Sequence, residues 1–583
     1  MKMQFAFILL TLLLVAHAAD MVAINSLDGR DVLSGIFYAN VQNMSVKFMP
    51  SQGGNADLFA AKVGSNHSIM LIQSSTNQVS GFVESSLKAK GNTIEIYSST
   101  DAGATNLDLA KLSGAASFIV VGSAYSDSAI SMLPYAKMTK SYVLLANKGN
   151  AAQVKSIVSG KSVMIYGLVD KEVSDALAPM NPQIIGKGED KYEDNVVIVE
   201  KMIDQFDSNR VIMVDGSFIE ESMALGDQPI LLTGGKLVPQ PTTAFIKQEV
   251  SDGKLVQIML LGNSLVVPVY DMRERMKQEF LSQGQNKTVS IVVKFAQVIP
   301  SAGSSVMVLD TFWMPAYKPN LNISEVAYNA QSGKIMATVD NLGEGAAYYS
   351  LEIRVKLNGQ DYRTFPAADP ALINTGEQKG TEFPFDMSNV TEGNLTALVL
   401  VKFGASKNSL EDFKSTEGPL GVINYADKSN VSVQAARYNP DKKVLLVTLK
   451  NNGQDKAYSF SRVTLNLGGA PATITSSGTK TLEPSSLQVE EFPLELSDAD
   501  FAANSQVKID VDYGGRPGFL VKKGEFTMPL SKEGGFPVML VVGAVGLLVI
   551  IIIIAAAIFF VMGKKKGKKE SEEQEPETKK RKK

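Results

Sequence analysis

The sequence contains no cysteine and only two histidines among its 583 residues. Without cysteine the chain has no disulfide framework, no thiolate metal site and no cysteine nucleophile. His17 lies near the N-terminus and His67 stands alone, so a histidine-rich zinc site cannot form and a Ser-His-Asp triad would have to use His67. The nearly balanced charge, −3, gives no reason to expect nucleic acid as a partner. We therefore predict no cofactor, no metal and no nucleic-acid partner.

The two ends of the chain predict where the protein resides. Residues 1–19 combine Lys2, an apolar run and small residues at Ala16 and Ala18, which is the pattern of a secretory signal peptide. Residues 536–562 carry no charge and are long enough for a transmembrane helix. The lysine-rich residues 563–583 then predict a disordered cytoplasmic tail. We expect a single-pass cell-membrane protein with a large extracellular region.

The predicted extracellular region carries seven N-x-S/T sequons, which are compatible with a glycoprotein. A eukaryotic ectodomain of this size would usually contain disulfides, so the lack of cysteine together with the sequons and the lysine-rich tail favours an archaeal cell surface. The candidate glycosylation residues are Asn43, Asn66, Asn286, Asn322, Asn389, Asn394 and Asn430.

The N-terminal half contains one pattern three times: an apolar strand, a short helix, a second apolar strand, another helix and a third strand. The first strands of the three copies begin at Ser45, Ser117 and Arg210. Short aliphatic strands alternating with amphipathic helices indicate βαβ units around a parallel sheet. The prediction is three tandem α/β parallel-sheet, Rossmann-like modules, at residues 22–110, 111–180 and 181–284.

Ligands of such sheets usually lie beyond the carboxyl ends of the strands. No G-x-G-x-x-G follows a strand and no P-loop lysine pattern occurs, so nucleotide binding is unsupported. Small polar loops at the strand ends suit a sugar or phosphate group, and they suit an ordinary turn equally well. The candidate ligand residues in these loops are Gln73, Ser74, Ala146, Asn147, Thr233, Gly234 and Gly235.

Carboxylates cluster in the third module and could form a glycosidase pair or a calcium site. The alternative, which we favour, is that they cap helix N-termini and interact with helix dipoles. The clustered residues are Glu189, Asp190, Glu193, Asp194, Asp215, Glu220 and Glu221.

The third module resembles the cell-wall-binding repeat type 2 family. The segment IIGKGEDKYEDNVVIVEKMI, residues 184–203, is similar to the opening glycine, basic-aromatic and helix segment of that family. The segment DGSFIEESMALGDQPILLTG, residues 215–234, resembles its central stretch. The first module offers LDGRDVLSGIFYANV with Arg30 in the opening position, whereas the second module departs from the pattern. The resemblance implies three tandem modules and non-covalent adhesion to a cell-wall polymer.

The C-terminal half is predicted to be all-β. Residues 285–315 read as two connecting strands, which either close the module region or lead onward. A second repeat then follows at an offset of 110, pairing Asn341 with Asn451 and Gly343 with Gly453. Alternating strands and about 100 residues per unit indicate two immunoglobulin-like β-sandwiches, at residues 316–422 and 423–530. Their N-x-G turns with flanking strands resemble the CARDB family of surface adhesion modules.

The order of these parts predicts a non-catalytic, membrane-anchored surface protein. Its three modules would bind envelope polysaccharide or glycan, or neighbouring surface proteins, and its sandwiches would act as a stalk. The alternatives are a component of an S-layer or other envelope lattice, a solute-binding surface receptor, and a hydrolase that uses Asp190 and Glu221.

Overall fold

A computed structural model of the chain gives its architecture. The first 18 residues, the predicted span at 536–562 and the tail at 563–583 lie outside the described residues. No helix in the described part of the chain is long and apolar enough to cross a membrane. The described residues are 19–49, 56–99, 101–206, 208–226, 228–234, 237–295, 298–300, 306–308, 311–314, 319–387, 393–410, 412–467, 470–476 and 478–533.

The first module is a four-stranded parallel sheet with the strand order β2-β1-β3-β4. Its first helix begins because the Asp28 side chain accepts a hydrogen bond from the Arg30 backbone N–H at 2.9 Å, and it ends at Asn43 in the left-handed conformation. The elements are β1 (Met21–Asn25), α1 (Gly29–Gln42), β2 (Ser45–Phe48), α2 (Ala56–Val63), β3 (Ser68–Ser74), α3 (Val83–Lys88) and β4 (Thr93–Ser99).

The second module repeats this order as β6-β5-β7-β8, again entirely parallel. A helix precedes its first strand, and Asn106 on that helix holds the neighbouring strand through hydrogen bonds with Val143 O at 3.1 Å and Leu145 N at 2.8 Å. The elements are α4 (Ala102–Leu112), β5 (Ser117–Gly122), α5 (Ser126–Ser131), α6 (Leu133–Thr139), β6 (Tyr142–Ala146), α7 (Ala151–Val158), β7 (Ser162–Tyr166), α8 (Lys171–Leu177) and β8 (Gln183–Ile185).

The third module has the order β11-β9-β12-β13. Asn195 takes the part that Asn106 takes in the second module, bonding Ile230 O at 2.8 Å and Leu232 N at 2.7 Å. The elements are α9 (Lys191–Phe206), β9 (Arg210–Val214), β10 (Phe218–Glu220), β11 (Ile230–Leu232), α10 (Gln240–Ser251), β12 (Gln257–Leu261), α11 (Val266–Ser282) and β13 (Ser290–Lys294).

The prediction of parallel-sheet modules is therefore confirmed, with one correction to the repeat. The first strand of the first module is β1 at Met21–Asn25, and the strand at Ser45, which we took as first, is its second strand at the sheet edge. The strand-helix alternation continues through all four strands of this module, so the pattern matched equally well one strand later. The sheets also extend beyond the predicted limits, since β8 belongs to the second sheet and β13 to the third.

The three modules pack into one head. A continuous apolar core contains Ile36 of α1, Leu133 of α6 and Met223 of the third module. Ion pairs join the modules at its edges: Lys191 of the third module contacts Asp127 of the second at 3.0 Å, and Glu221 of the third contacts Lys47 of the first at 2.6 Å. The first and third modules, far apart in sequence, are thus neighbours in space.

Short β-pairs connect the head to the β-rich half. Strand β16 pairs antiparallel with β10 of the third module, so this connection is tied back to the head. The elements are β14 (Val298–Pro300), β15 (Val306–Val308) and β16 (Thr311–Trp313).

The first β-domain has two sheets, β22-β18-β17-β25 and β20-β19-β23-β24, with β21 also pairing to β19. Residues of both sheets, such as Val339 and Val399, share one apolar core, which makes the domain a sandwich. Its strands are β17 (Leu321–Asn329), β18 (Lys334–Asn341), β19 (Ala347–Leu357), β20 (Gln360–Phe365), β21 (Ala371–Ile373), β22 (Gln378–Pro384), β23 (Leu395–Gly404), β24 (Asp412–Pro419) and β25 (Gly421–Ile423).

The second β-domain repeats the first, with one long strand, β33, replacing β24 and β25 and pairing with both layers. The register irregularity between Ile323 and Glu325 recurs between Val433 and Ala435, at the offset of 110 seen in the sequence. The elements are β26 (Val431–Asn439), β27 (Val444–Asn451), β28 (Ala457–Leu467), β29 (Ala470–Thr475), β30 (Lys480–Leu482), β31 (Leu487–Pro493), α12 (Asp498–Ala503), β32 (Gln506–Gly514) and β33 (Lys522–Lys532).

Candidate functional site

A cleft of about 1140 Å³ lies where the first two modules meet the first sandwich. Domain junctions are frequent locations for binding sites, and this volume exceeds that of a pocket for one small ligand. The residues that line it include Leu27, Asp28, Arg30, Asn77, Asn147, Lys148, Asp170, Asn320, Leu342, Glu344 and Thr375.

The first wall is the beginning of α1 in the first module. The Arg30 guanidinium bonds both carboxylate oxygens of Asp28, with Nε 3.1 Å from Oδ1 and Nη2 2.8 Å from Oδ2. Burial favours the neutral form of Asp28, but the hydrogen bonds from the Arg30 side chain and backbone outweigh it and lower the pKa of Asp28. The same contacts raise the pKa of Arg30. This wall therefore presents a neutralised charge pair and the half-exposed side chain of Leu27.

The second wall is the loop that follows β6 in the second module. Asn147 closes it, because its Oδ1 accepts from Gly149 N at 2.8 Å while its Nδ2 donates to Ser123 Oγ at 3.0 Å. The Lys148 backbone N–H donates to Asp170 Oδ2 at 2.9 Å. Burial raises the pKa of Asp170 despite this hydrogen bond. The Lys148 side chain reaches across the cleft to Thr375 O, at 3.5 Å.

The third wall is the N-x-G turn of the first sandwich. Buried Asn341 accepts from Gly343 N at 2.9 Å and donates to Gly345 O at 2.9 Å and Ile373 O at 3.1 Å, which fixes the turn. The turn leaves Leu342 61% exposed, and it also exposes Glu344. The sandwich therefore contributes directly to the cleft.

Contacts between the head and the first sandwich hold these walls in place. The Tyr125 hydroxyl of the second module donates to Ala346 O. The Tyr348 hydroxyl donates to Gly188 O at 3.0 Å, and Lys407 N donates to Glu189 O at 2.6 Å. These hydrogen bonds join the second and third modules to the first sandwich, so the cleft is a built feature of the domain arrangement.

The loops predicted as ligand sites lie at different places relative to the cleft. Asn147 lines the cleft, and Ala146 lies beside it, buried. The loop after Gln73 and Ser74 reaches the cleft only through Asn77, since Gln73 faces Asn25 and Ser74 forms a local turn with Asn77 N at 2.9 Å.

The third predicted loop is not part of the cleft lining. Thr233 is buried, and the backbone O of Leu237 lies against the position that a side chain on Gly234 would occupy. Gly235 lies outside the described residues. The structure therefore brings together parts of two predicted loops and leaves the third elsewhere.

The acidic clusters occupy structural positions. Asp190 caps α9, because its Oδ1 accepts from Tyr192 N at 2.8 Å, and Asp215 accepts from Ser217 N at 3.0 Å. Glu220 pairs with Lys294 at 2.7 Å. Glu221 pairs with Lys47 and Lys62, each at 2.6 Å, so Asp190 and Glu221 have different partners. This is the arrangement expected of capping and bridging carboxylates.

The remaining acidic residues of the third module lie near the junction with the sandwich. Asp194 is buried and accepts from Lys187 N at 2.7 Å and Gly188 N at 3.0 Å, and burial raises its pKa to about 6 against those bonds. Glu189 lies 3.6 Å from Lys407, and Glu193 accepts from Asn408 at 3.5 Å. In the described part of the chain no group of three or more His, Asp or Glu side chains is arranged to hold a metal ion.

Most of the sequon asparagines are exposed. Asn43 and Asn66 have left-handed backbones at the ends of local structure, and Asn322 is half-buried within β17. Asn389 lies outside the described residues. The exposed ones are Asn43, Asn66, Asn286, Asn394 and Asn430.

Sequence reasoning missed two cleft walls, the start of α1 and the turn at Leu342–Glu344. The signal for the turn was present, because Asn341 and Gly343 had been noted as part of the repeat. That the turn faces the head could not be inferred, since it depends on packing between residues more than 200 positions apart.

Comparison with known proteins gives limited matches. No family model and no curated protein sequence matches the chain. Among solved structures, the chain is similar to Cwp8 from Clostridium difficile, with 17% identity and a TM-score of 0.37 over 45% of this chain and 47% of that one. It is also similar to Cwp6 from Clostridium difficile, with 16% identity and a TM-score of 0.32 over 42% of this chain and 41% of that one. The matches span less than half of either protein, and the resemblances to the cell-wall-binding repeat type 2 and CARDB families remain predictions from motifs.

Proposed function

We propose that the chain is a non-catalytic cell-surface protein that binds envelope polymer or glycan through its three-module head. The predicted signal peptide and the uncharged run at 536–562 support export and membrane anchoring. The two sandwiches form the stalk between the head and that run. A polymer that contacts several walls of one head gains affinity from many weak polar contacts, and this needs no catalytic centre.

One observation carries this proposal. Three sheets with the same parallel strand order pack around one core, and the resulting head forms a cleft with the first sandwich. The polar loops at the strand ends of the second module and the capped start of α1 both face that cleft. The carboxylates that a hydrolase would need are engaged in caps and ion pairs, which favours binding over hydrolysis.

The test is retention on purified cell envelope. A deletion should cover residues 20–314, because β13 belongs to the third sheet and β16 pairs with β10, so a shorter deletion leaves unpaired strands. Each sandwich has its own apolar core and is expected to stay folded, which circular dichroism can check. We expect the full chain to be retained and the deletion variant to be lost. Equal retention of both would reject the proposal.

A solute-binding receptor is a second candidate, which the position of the cleft at a junction between domains favours. It predicts that small sugars or peptides raise the melting temperature of the full chain by mass action. A shift with monosaccharides as large as that with oligomers would favour this second function over adhesion.

A further inference from the structure

The charges that line the cleft restrict what it can bind. Its two cations are Arg30 and Lys148, and its three carboxylates are Asp28, Asp170 and Glu344. Arg30 is already held by Asp28, with Nη2 2.8 Å from Oδ2, and the Lys148 ammonium points to Thr375 O. A polyanion entering the cleft would meet no free excess of positive charge, and it would be repelled by Asp170 and Glu344.

The other cleft groups suit uncharged sugar rings. Leu27 of the first module and Leu342 of the first sandwich both line the cleft and are 49% and 61% exposed, so they offer apolar surface to the C–H faces of sugar rings. Asn77 adds an amide group that can both donate to and accept from sugar hydroxyls, and Asn320, whose Oδ1 accepts from Lys414 Nζ at 3.0 Å, adds an amide that can donate. Apolar walls with a few placed polar groups are typical of specific small-unit recognition.

We propose that this cleft binds a segment of neutral or amino-bearing glycan and selects against polyanionic polymer. This inference rests on the proposed function and names the class of glycan that the head takes. The volume of the cleft suits an extended glycan segment rather than one sugar unit. Glu344 at the cleft wall provides the charge selection, and Leu342 provides apolar contact that is independent of ligand charge.

The repeat of the sandwich supplies a matched control. Glu344 corresponds at the offset of 110 to Gln454 in the second sandwich, on the equivalent N-x-G turn, and both side chains are exposed. Gln454 is not part of the cleft lining. Glu344→Lys and Gln454→Lys therefore introduce the same side chain on the same kind of turn, and only the first changes the cleft.

The experiment measures binding to the full chain in detergent by calorimetry with three probes of matched length. The probes are a β-1,4-linked N-acetylglucosamine oligomer, its de-N-acetylated amino form and an oligogalacturonate. We expect the neutral and amino probes to bind at least tenfold more tightly than the oligogalacturonate. Glu344→Lys should weaken the amino probe at least fivefold and strengthen the anionic one, Leu342→Ser should weaken the neutral and amino probes, and Gln454→Lys should change none.

Two results would overturn the inference. One is tighter binding of the oligogalacturonate than of the neutral probe, and the other is the same effect from Glu344→Lys as from Gln454→Lys. The variants are also tested for envelope retention, so the outcome does not depend on which sugars the probes contain. If head deletion abolishes retention but Leu342→Ser and Glu344→Lys both leave it unchanged, this inference alone is defeated. If retention survives head deletion, the proposed function itself is defeated.

Discussion

At the scale of single residues, one buried asparagine organises each sandwich. Asn451 accepts from Gly453 N at 2.9 Å and donates to Asp455 O at 2.8 Å and Leu482 O at 3.1 Å, and Asn341 makes the same three bonds 110 positions earlier. An amide is needed because one side chain must both accept and donate. The conserved geometry explains why both residues stand at the same place in the repeat.

Replacing Asn451 by alanine should lower the free energy of unfolding of the second sandwich by about 3 kcal/mol, since it leaves three backbone groups without partners. Chemical denaturation measures this loss. Asn452→Ala is the control, because that side chain is exposed and, among the described residues, its bond is to Ser432 Oγ. Equal losses in the two variants would contradict the assignment.

Glu490 is a second residue with a large expected effect. It is 1% exposed inside the second sandwich, facing the Ser459 and Ser461 hydroxyls, and neither of its oxygens has a well-formed hydrogen bond among the described residues. Burial raises its pKa to about 7, although the two serines, Lys480 and Lys171 act in the opposite direction. The first sandwich fills the equivalent space with Tyr349 and Thr381, which bond each other.

This shift makes the stability of the second sandwich depend on pH. Because the folded pKa lies above the unfolded value of 4.5, folding favours the protonated form, and that stabilisation is full below pH 4.5 and lost as pH rises through about 7. Its total size is on the order of 3 kcal/mol. We expect Glu490→Gln to remove this part of the pH dependence, measured by hydrogen exchange of β28 between pH 5 and 8. Glu491→Gln, at the exposed neighbouring position, should leave it unchanged, and a wild-type profile in Glu490→Gln would refute the account.

At the scale of elements, the two sandwiches use the same turn as a joint. The turn after β23, bridged at Ser406 and Ser409, attaches the first sandwich to the head, where Lys191 N donates to Ser406 Oγ at 3.1 Å. The turn after β32, bridged at Arg516 and Phe519, attaches the second sandwich to strand β22 of the first. A repeated element thus makes a repeated contact with the domain before it.

Gly380 on β22 makes this second joint possible. Its N–H donates to Gly518 O at 2.8 Å, and a Cβ at this position would lie 2.6 Å from the Phe519 ring. By strand register the second sandwich has Val489 at the corresponding position, so valine is compatible with the strand itself.

We expect Gly380→Val to separate the sandwiches without unfolding either of them. Limited proteolysis in the linker at residues 424–430 should speed up, and small-angle scattering should show a larger radius of gyration. Gly421→Val is the control, because nothing lies within 4 Å of the position its Cβ would take. An unchanged cleavage rate in Gly380→Val would mean that the joint does not depend on this contact.

At the scale of the whole molecule, the head is closed by contacts between its first and last modules. Glu221 of the third module pairs with Lys47 and Lys62 of the first, and its side chain is only 13% exposed. Removing Glu221 takes away the carboxylate that bridges two partly buried lysines. The contact between the first and third modules of the head should therefore weaken.

Glu221→Gln should destabilise the head by about 2 kcal/mol. Thermal unfolding can be followed by the fluorescence of Trp313, the single tryptophan, which lies in β16 paired with β10 of the third module. Lys62→Gln alone and the double variant complete a cycle, which should show a coupling energy rather than simple addition. Additive losses would indicate that the two side chains act independently.

How far the sequence predicts this molecule depends on the range of the interactions involved. Periodicity alone gave the parallel α/β modules and the repeat of the two β-domains, because strand and helix patterns are local. The predicted limits of the modules were less accurate. Strands β8 and β13 pair with strands from earlier in the chain, and nothing in their own sequences indicates which sheet they join.

The sequence by itself determined the building blocks: three α/β modules, two related β-domains, and the capping and turn residues Asp28, Asn341 and Asn451. Local patterning fixes the elements, and hydrogen bonds within a few residues fix the cap at Asp28 and most of each turn, with one further bond from Asn341 to Ile373 O and from Asn451 to Leu482 O. The tertiary structure alone decided that Arg30, Lys148 and Glu344 line one cleft and that Glu221 closes the head. These residues belong to different domains, and their proximity results from apolar packing between surfaces that no local pattern records.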